Sequence, residues 1–280
     1  MISTVNLVAI LAWIFIWIII GKFVFDKIYY KKISLEMELL SKNNMALAIS
    51  FSGFILGFSI ALIHSIDPIY PIYINGITGT LMIVLILLFT RIFDWIFLQK
   101  IDLPTEIIDH NNHASGLVEG SFFLSMGLVI SGAFSGYDVI TSWSYMYFES
   151  ILYCLLGLIL LFISSIILSF ILKVNMQEEL LKNNSAVAIS FSGIFIATAM
   201  VIKDAISGPT QDKILYDILI TSLDWIVALA IMVILFFLFD LVLFRKFSFK
   251  EELKEPNIGA GIIIGIIFIS SALISSLLIP

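Results

Sequence analysis

Residues 43–53 read NNMALAISFSG and residues 183–193 read NNSAVAISFSG, so nine of eleven positions recur 140 residues later in a chain of 280. A recurrence at half the chain length marks a tandem duplication, with units 1–140 and 141–280. Both copies stand where a lysine-bearing polar segment gives way to a long apolar run. That is the pattern of a helix leaving water for a bilayer.

Composition supports lipid as the main solvent. Hydrophobic residues make up 60% and charged residues 13% of the chain, and the mean hydropathy is +1.10, whereas about a quarter of the residues in a soluble domain are charged. The net charge of -6 is scattered, and no basic tract points to nucleic acid. Cys154 is the single cysteine, which excludes an internal disulfide and a cysteine-based zinc or iron-sulfur site.

Apolar runs of about 20 residues predict eight transmembrane helices. They fall near 5–27, 44–65, 72–98, 112–134, 146–172, 184–205, 215–244 and 257–279. The first lacks a signal-peptide cleavage pattern and reads as a retained span. The fold class is therefore all-α and polytopic, a duplicated four-helix unit built from four parallel helix pairs. Thirteen Lys and Arg residues fall in the segments joining spans 1–2, 3–4, 5–6 and 7–8, against Lys203 and Lys213 on the other side. By the positive-inside rule those four segments are cytoplasmic and both termini are outside.

A finer period appears when each even span is counted from the asparagine at its start. Asn44, Asn112, Asn184 and Asn257 are 68, 72 and 73 residues apart. These asparagines read as helix N-caps at the water boundary. Asp26, Asp94 and Asp240 precede three of them by 18, 18 and 17 residues, while the third unit has Ile166 at that place. Gly53/Gly57 and Gly193/Ala197 lie 9 and 13 residues after their asparagine, but Gly116/Gly120 and Gly261/Gly265 lie 4 and 8 after theirs. The units thus alternate A-B-A-B. Four-residue spacing puts both small residues on one face, where two membrane helices approach closely. Two halves related as a dimer predict that the Gly53/Gly57 and Gly193/Ala197 faces meet near a pseudo-two-fold axis.

The even spans resemble the bacterial inner-membrane proteins grouped as domain of unknown function 350, which include the four-span YjfL-like proteins. The resemblance is carried by Asn44-x-Ala46-x-Ala48 and Asn184-x-Ala186-x-Ala188, each preceded by an acidic stretch, Glu36-Met37-Glu38 or Glu178-Glu179. The fourth unit departs from it with Asn257-Ile258-Gly259-Ala260. It implies two family units in tandem in a polytopic membrane protein, and supplies no substrate, cofactor or catalytic residue.

Ionisable residues inside spans are the sharpest functional pointers, because a charge at mid-bilayer costs a few kcal/mol or more. Glu119 lies seven residues into its span, with Asn112 and Ser115 on its own helical face, and its counterpart in the second half is apolar, near Ile264. Asp224 lies about ten residues into the seventh span. These four residues are the candidates for binding a proton or small inorganic cation, against a structural reading in which both carboxyls are protonated and hydrogen-bonded. Arg91 and Asp94, three apart near a span end, read as a local pair or as snorkelling side chains. Tyr29, Tyr30, Trp95 and Trp225 read as part of an interfacial aromatic belt, and His64, beside Asp67 and Pro68, as an interfacial residue. Glu106, Asp109 and His113 have a spacing that metal ligands use, but nothing completes a shell, so no metal and no cofactor is expected. No nucleophile elbow, P-loop or Rossmann glycine pattern is present, which argues against an enzyme.

Two functions fit these features. The first is a transporter or channel moving a proton or small cation past Glu119 and Asp224. The alternative is a non-transporting membrane scaffold. The lipid bilayer is the expected environment of both, and a homo-oligomer is compatible with either.

Overall fold

Asparagine side chains start the helices that organise this fold. In the computed structural model, Asn44 Oδ1 accepts from Leu47 N, Asn112 Oδ1 from Ser115 N, Asn184 Oδ1 from Ala186 N and Val187 N, and Asn257 Oδ1 from Ala260 N. Each satisfies a first-turn amide that has no partner within its own helix. The described residues are 4–31, 33–65, 71–135, 143–207, 214–243 and 249–277. They form helices α1 (Thr4–Val24), α2 (Met45–Leu62), α3 (Ile72–Phe97), α4 (Leu103–Ile108), α5 (His113–Ala133), α6 (Trp143–Leu172), α7 (Met176–Leu181), α8 (Ser185–Ile206), α9 (Ile214–Leu243), α10 (Phe249–Lys254) and α11 (Ile258–Ser276), with no strand among them.

Seven of these helices, beginning with α2, are long and apolar enough to cross a membrane. The first expected span falls on α1, a further helix of 21 residues. Arg245 and Lys246, counted among the basic residues above, lie outside the described residues, as do Asp67, Pro68 and Lys213.

The asparagine-capped helices stand side by side in the order α2, α5, α8, α11. The preceding long helices form a second layer against them. Trp17 of α1 lies over Gly79 of α3, Tyr147 of α6 meets Thr78 of α3 at 3.0 Å between hydroxyls, and Trp225 Nε1 of α9 donates to Ser164 Oγ of α6 at 2.9 Å. Trp225 is thus a buried strut between α9 and α6, not a belt residue. The two middle inner helices are the most enclosed, with 83% of an 18-residue stretch of α5 and 72% of one in α8 buried, against 28% of one in α9. Bulky apolar residues such as Leu219, Leu223 and Leu241 cover the outside of α9, as a surface against lipid tails requires.

Glycines set the spacing of the inner row. A Cβ built on Gly53 would sit 2.1 Å from the carbonyl oxygen of Gly120, and one on Gly127 would sit 2.1 Å from that of Gly57. A Cβ on Gly116 would lie 2.3 Å from Ala46 O, one on Gly261 2.4 Å from Ala186 O, and one on Gly193 2.3 Å from Gly265 Cα. Ala197 is fully buried in the same helix as Gly193. The small-residue faces therefore meet A to B within each half. The Gly53/Gly57 face does not meet the Gly193/Ala197 face, so the pseudo-two-fold expectation is corrected: each A face is already filled by the B helix that follows it.

Instead the units join head to tail through a repeated set of hydrogen bonds at their asparagine end. Asn44 Nδ2 donates to Ile107 O at 2.9 Å, Asn112 Nδ2 to Leu180 O at 2.7 Å and Asn184 Nδ2 to Leu253 O at 3.0 Å, each reaching the short amphipathic segment of the next unit. In return, Asn111 Oδ1 accepts from Ala46 N and Asn183 Oδ1 from Ala114 N, both at 3.0 Å. Asn111 and Asn183 hold φ of 47° and 56°, in the left-handed region that asparagine tolerates better than most side chains. This explains the doubled asparagine: one caps its own helix and the other grips the preceding one.

Candidate functional site

Glu119 has 0% exposure and lies on α5 where it packs on α2, about two turns from the asparagine end of α5. Three hydroxyls surround its carboxyl group. Tyr29 Oη donates to Oε1 at 3.0 Å, Tyr30 Oη donates to Oε2 at 2.6 Å, and Ser50 Oγ donates to the same Oε2. Buried polar groups are stable only when partnered, and here both oxygens are.

The local backbone makes this possible. After α1 the chain winds a π-helical turn, Phe25–Tyr29, and Tyr30 leaves the helix at φ -110° and ψ 66°. An uninterrupted α-helix turns successive side chains about 100° apart, whereas here two adjacent tyrosines reach one carboxyl group. Phe25 anchors the turn from within the core, 5.0 Å from the Phe54 ring and 5.9 Å from the Phe123 ring between centroids. π-turns inside helical proteins occur frequently at functional sites.

Arg91 and Asp94 of α3 complete the cluster. The Arg91 guanidinium lies 3.7 Å from the centroid of the Tyr29 ring, donates through Nη2 to Tyr29 O at 2.9 Å, and approaches Asp94 Oδ2 at 3.4 Å through Nη1. The cation holds the ring whose hydroxyl serves Glu119. Two carboxylates and one guanidinium sum to a charge of -1, so one proton or monovalent cation brings the cluster to neutrality.

Two clefts at the asparagine end reach this cluster from different sides. One of about 530 Å³ is lined by Tyr29, Tyr30, Glu38, Lys42 and Asp109. The other, of about 600 Å³, is lined by Arg91, Asp94, Trp95 and Gln99. Asp102 and Pro104 border both.

The residues grouped with Glu119 from sequence fare differently. Asn112 is a cap and inter-unit link whose second amide hydrogen goes to Glu106 at 2.9 Å, and Ser115 is buried without a hydrogen-bond partner for its hydroxyl. Neither hydrogen-bonds to Glu119. Asp224 is half-buried on α9, a helix packed on α6, α8 and α11, none of which carries a residue of the Glu119 cluster. Glu106 is engaged by Asn112 and by His110 Nδ1 at 3.0 Å, and so is held within its own segment.

Tyr29 and Tyr30, which read from the sequence as belt residues, are with Ser50 of α2 the true partners. One signal could have found them. Counted from the N-cap asparagine, the second half has Ile264 for Glu119, Ser169 for Tyr29, Phe170 for Tyr30 and Phe236 for Arg91, so the carboxyl group and its partners are absent together. Ser190, the counterpart of Ser50, turns back to Ala186 O at 3.0 Å.

The family sequence description "Domain of Unknown Function (DUF350)" matches residues 1–134 and again 141–279. The chain belongs to the DUF350 family. A UPF0719 transmembrane protein of Aquifex aeolicus (strain VF5) is 34% identical over 263 residues, covering 92% of this chain and 95% of that protein. No solved structure matches. This DUF350 chain is accordingly a transmembrane protein whose two matched segments correspond to the two halves of the inner row, α2 with α5 and α8 with α11.

Proposed function

We propose that this DUF350 protein moves a proton across or into the membrane through Glu119, with the clefts beside Tyr29, Tyr30 and Asp94 as the cytoplasmic access route. The carrying observation is a fully buried carboxyl group held by three hydroxyls, two of whose tyrosines line a cleft of about 530 Å³. Hydroxyl donors and a carboxyl group form a chain along which a proton passes by reorientation of O–H bonds. A hydrated metal cation is served less well, since Arg91 sits beside the site and the three hydroxyl protons point at the carboxyl oxygens. In this reading Asp224 is not part of the path.

The test is proton flux in proteoliposomes carrying wild type, Glu119→Gln or Asp224→Asn protein, each verified as folded. The proposal expects flux in wild type and in Asp224→Asn, and loss in Glu119→Gln. Equal flux in wild type and Glu119→Gln overturns it.

The scaffold reading is favoured by a different observation, the backbone-to-backbone packing of α2 on α5 and of α8 on α11, which leaves no room for a path within those pairs. It expects no wild-type flux under any gradient, with Glu119→Gln changing stability alone.

A further inference from the structure

Among the described residues the outer flanks of α2 and α11 are uncovered, and the two flanks are complementary. The eleven-residue stretch that starts α2 recurs at the start of α8, yet only one of the two copies has both flanks covered. In α8, Ala188 and Ser192 stand 4 and 8 residues after the N-cap and face the preceding unit. Ala188 is fully buried, and Ser192 Oγ donates to Leu117 O of α5 at 3.1 Å. In α2 the same positions are Ala48 and Ser52. Ser52 is exposed and Ala48 half-exposed; Ser52 Oγ donates to Ala48 O at 2.7 Å, as Ser192 Oγ does to Ala188 O at 2.8 Å, but has no counterpart of the bond that Ser192 makes to α5.

The short segments before these helices repeat the contrast. Leu180 and Leu253, four residues before their asparagines, receive the amide of the preceding unit and are 0% exposed, whereas Leu40, the same position in the first unit, is 79% exposed. Asn43, which in later units grips the preceding helix, is exposed with φ 52°. It holds the gripping conformation with nothing in its grasp.

The opposite end offers the matching half. In α11, Gly259 occupies the place of Ala46 and Ala114, whose amides are gripped by the next unit, and it is exposed. Asn257 Nδ2 donates to Glu252 Oε2 at 2.7 Å, as Asn112 and Asn184 donate to Glu106 and Glu179, but unlike them it reaches no carbonyl of another unit among the described residues. Ile262 takes the place of Leu117, the α5 residue whose carbonyl Ser192 of α8 reaches, and is 48% exposed.

We infer that the α2 flank formed by Leu40, Asn43, Ala48 and Ser52 is the docking face for α11 of a second copy of this chain. The contact continues the interface that α5 and α8 make within one chain: Asn43 accepts from the Gly259 amide, Asn257 reaches Leu40 O, and Ile262 packs over Ser52. The contact is heterologous, joining the tail of one copy to the head of the next, so repetition closes a ring if the curvature of the row permits and extends a row if it does not. Small residues against β-branched ones suit close helix association in lipid. The inference stands independently of any transport by Glu119.

Cross-linking tests it directly. In a Cys154→Ala background, Ser52→Cys protein and Ile262→Cys protein are reconstituted separately and as a mixture, then mildly oxidised. A head-to-tail contact yields a cross-linked band at twice 31.4 kDa in the mixture and none from either variant alone. Absence of that band, or self-cross-linking of a single variant to the same extent, overturns the inference. Ser52→Leu supplies a second readout, because the position is exposed in the single chain and its folding is unaffected. The association constant in lipid falls by about tenfold or more, and unchanged association contradicts the proposed face.

Discussion

Tyr30 Oη donates to Glu119 Oε2 at 2.6 Å across 89 residues of sequence, tying the turn after α1 to the middle of the α2–α5 pair. A phenol and a carboxyl group that are both buried form a short, charge-assisted type of bond that a low local dielectric strengthens.

Removing that phenol leaves the carboxyl oxygen under-partnered. Tyr30→Phe should destabilise the protein by about 1–3 kcal/mol, the cost of a buried polar group that loses its partner. Thermal unfolding in detergent reads this. Glu119→Gln combined with Tyr30→Phe should lose less than the sum of the two single changes, because the residues act on one bond.

The glycine contacts make a graded prediction. Gly53→Ala drives a methyl group into the Gly120 carbonyl, 2.1 Å away, and should cost about 1–3 kcal/mol or more. Gly76→Ala meets only the edge of Trp13 at 4.0 Å and should be close to neutral. Comparing the two unfolding temperatures separates tight backbone packing from a general cost of changing glycine.

Much of this architecture was legible from the chain itself. The eleven-residue recurrence, the four asparagines and the two kinds of small-residue pair correspond to four capped helices that pack through those small residues. Their head-to-tail order was not legible, since a Gly face says that something packs there and not which helix does. The partners of Glu119 were hidden for a related reason. Tyr29 and Tyr30 sit beside Lys31 and look interfacial, and only the π-turn after Val24, which no local pattern in the sequence announces, turns them inward. Arg91 looked like a local partner of Asp94, but its principal contact is the Tyr29 ring, 62 residues away in sequence.

Asn184 carries two tasks at once. It caps α8 and donates to Leu253 O and Glu179 Oε2 at 3.0 and 2.8 Å. Asn184→Ala should therefore cost more than an ordinary N-cap loss of about 1 kcal/mol, and Asn184→Asp should preserve the cap but lose both donated bonds. Unfolding of the two variants measured side by side distinguishes the tasks.

Glu179 gives a pH-dependent prediction outside the membrane spans. Burial pushes its carboxyl group upward, but hydrogen bonds from Lys182 and Asn184 and the Lys182 charge outweigh this and hold it below its usual value. A group whose folded value is depressed contributes stability above the unfolded carboxylate range and loses that contribution as pH falls through its folded value. Glu179→Gln should thus lower stability near neutral pH, and the gap to wild type should close on acidification below the usual carboxylate range. Melting temperature against pH for both proteins checks the sign.

The central claim is that Glu119 exchanges a proton with water. The most direct measurement is the pH-induced infrared difference spectrum of the protein in lipid, following the carbonyl stretch of protonated carboxyl groups in wild type, Glu119→Gln and Asp224→Asn. The account predicts a titrating band that Glu119→Gln removes and Asp224→Asn retains. A wild-type spectrum in which Glu119→Gln removes no titrating band contradicts it.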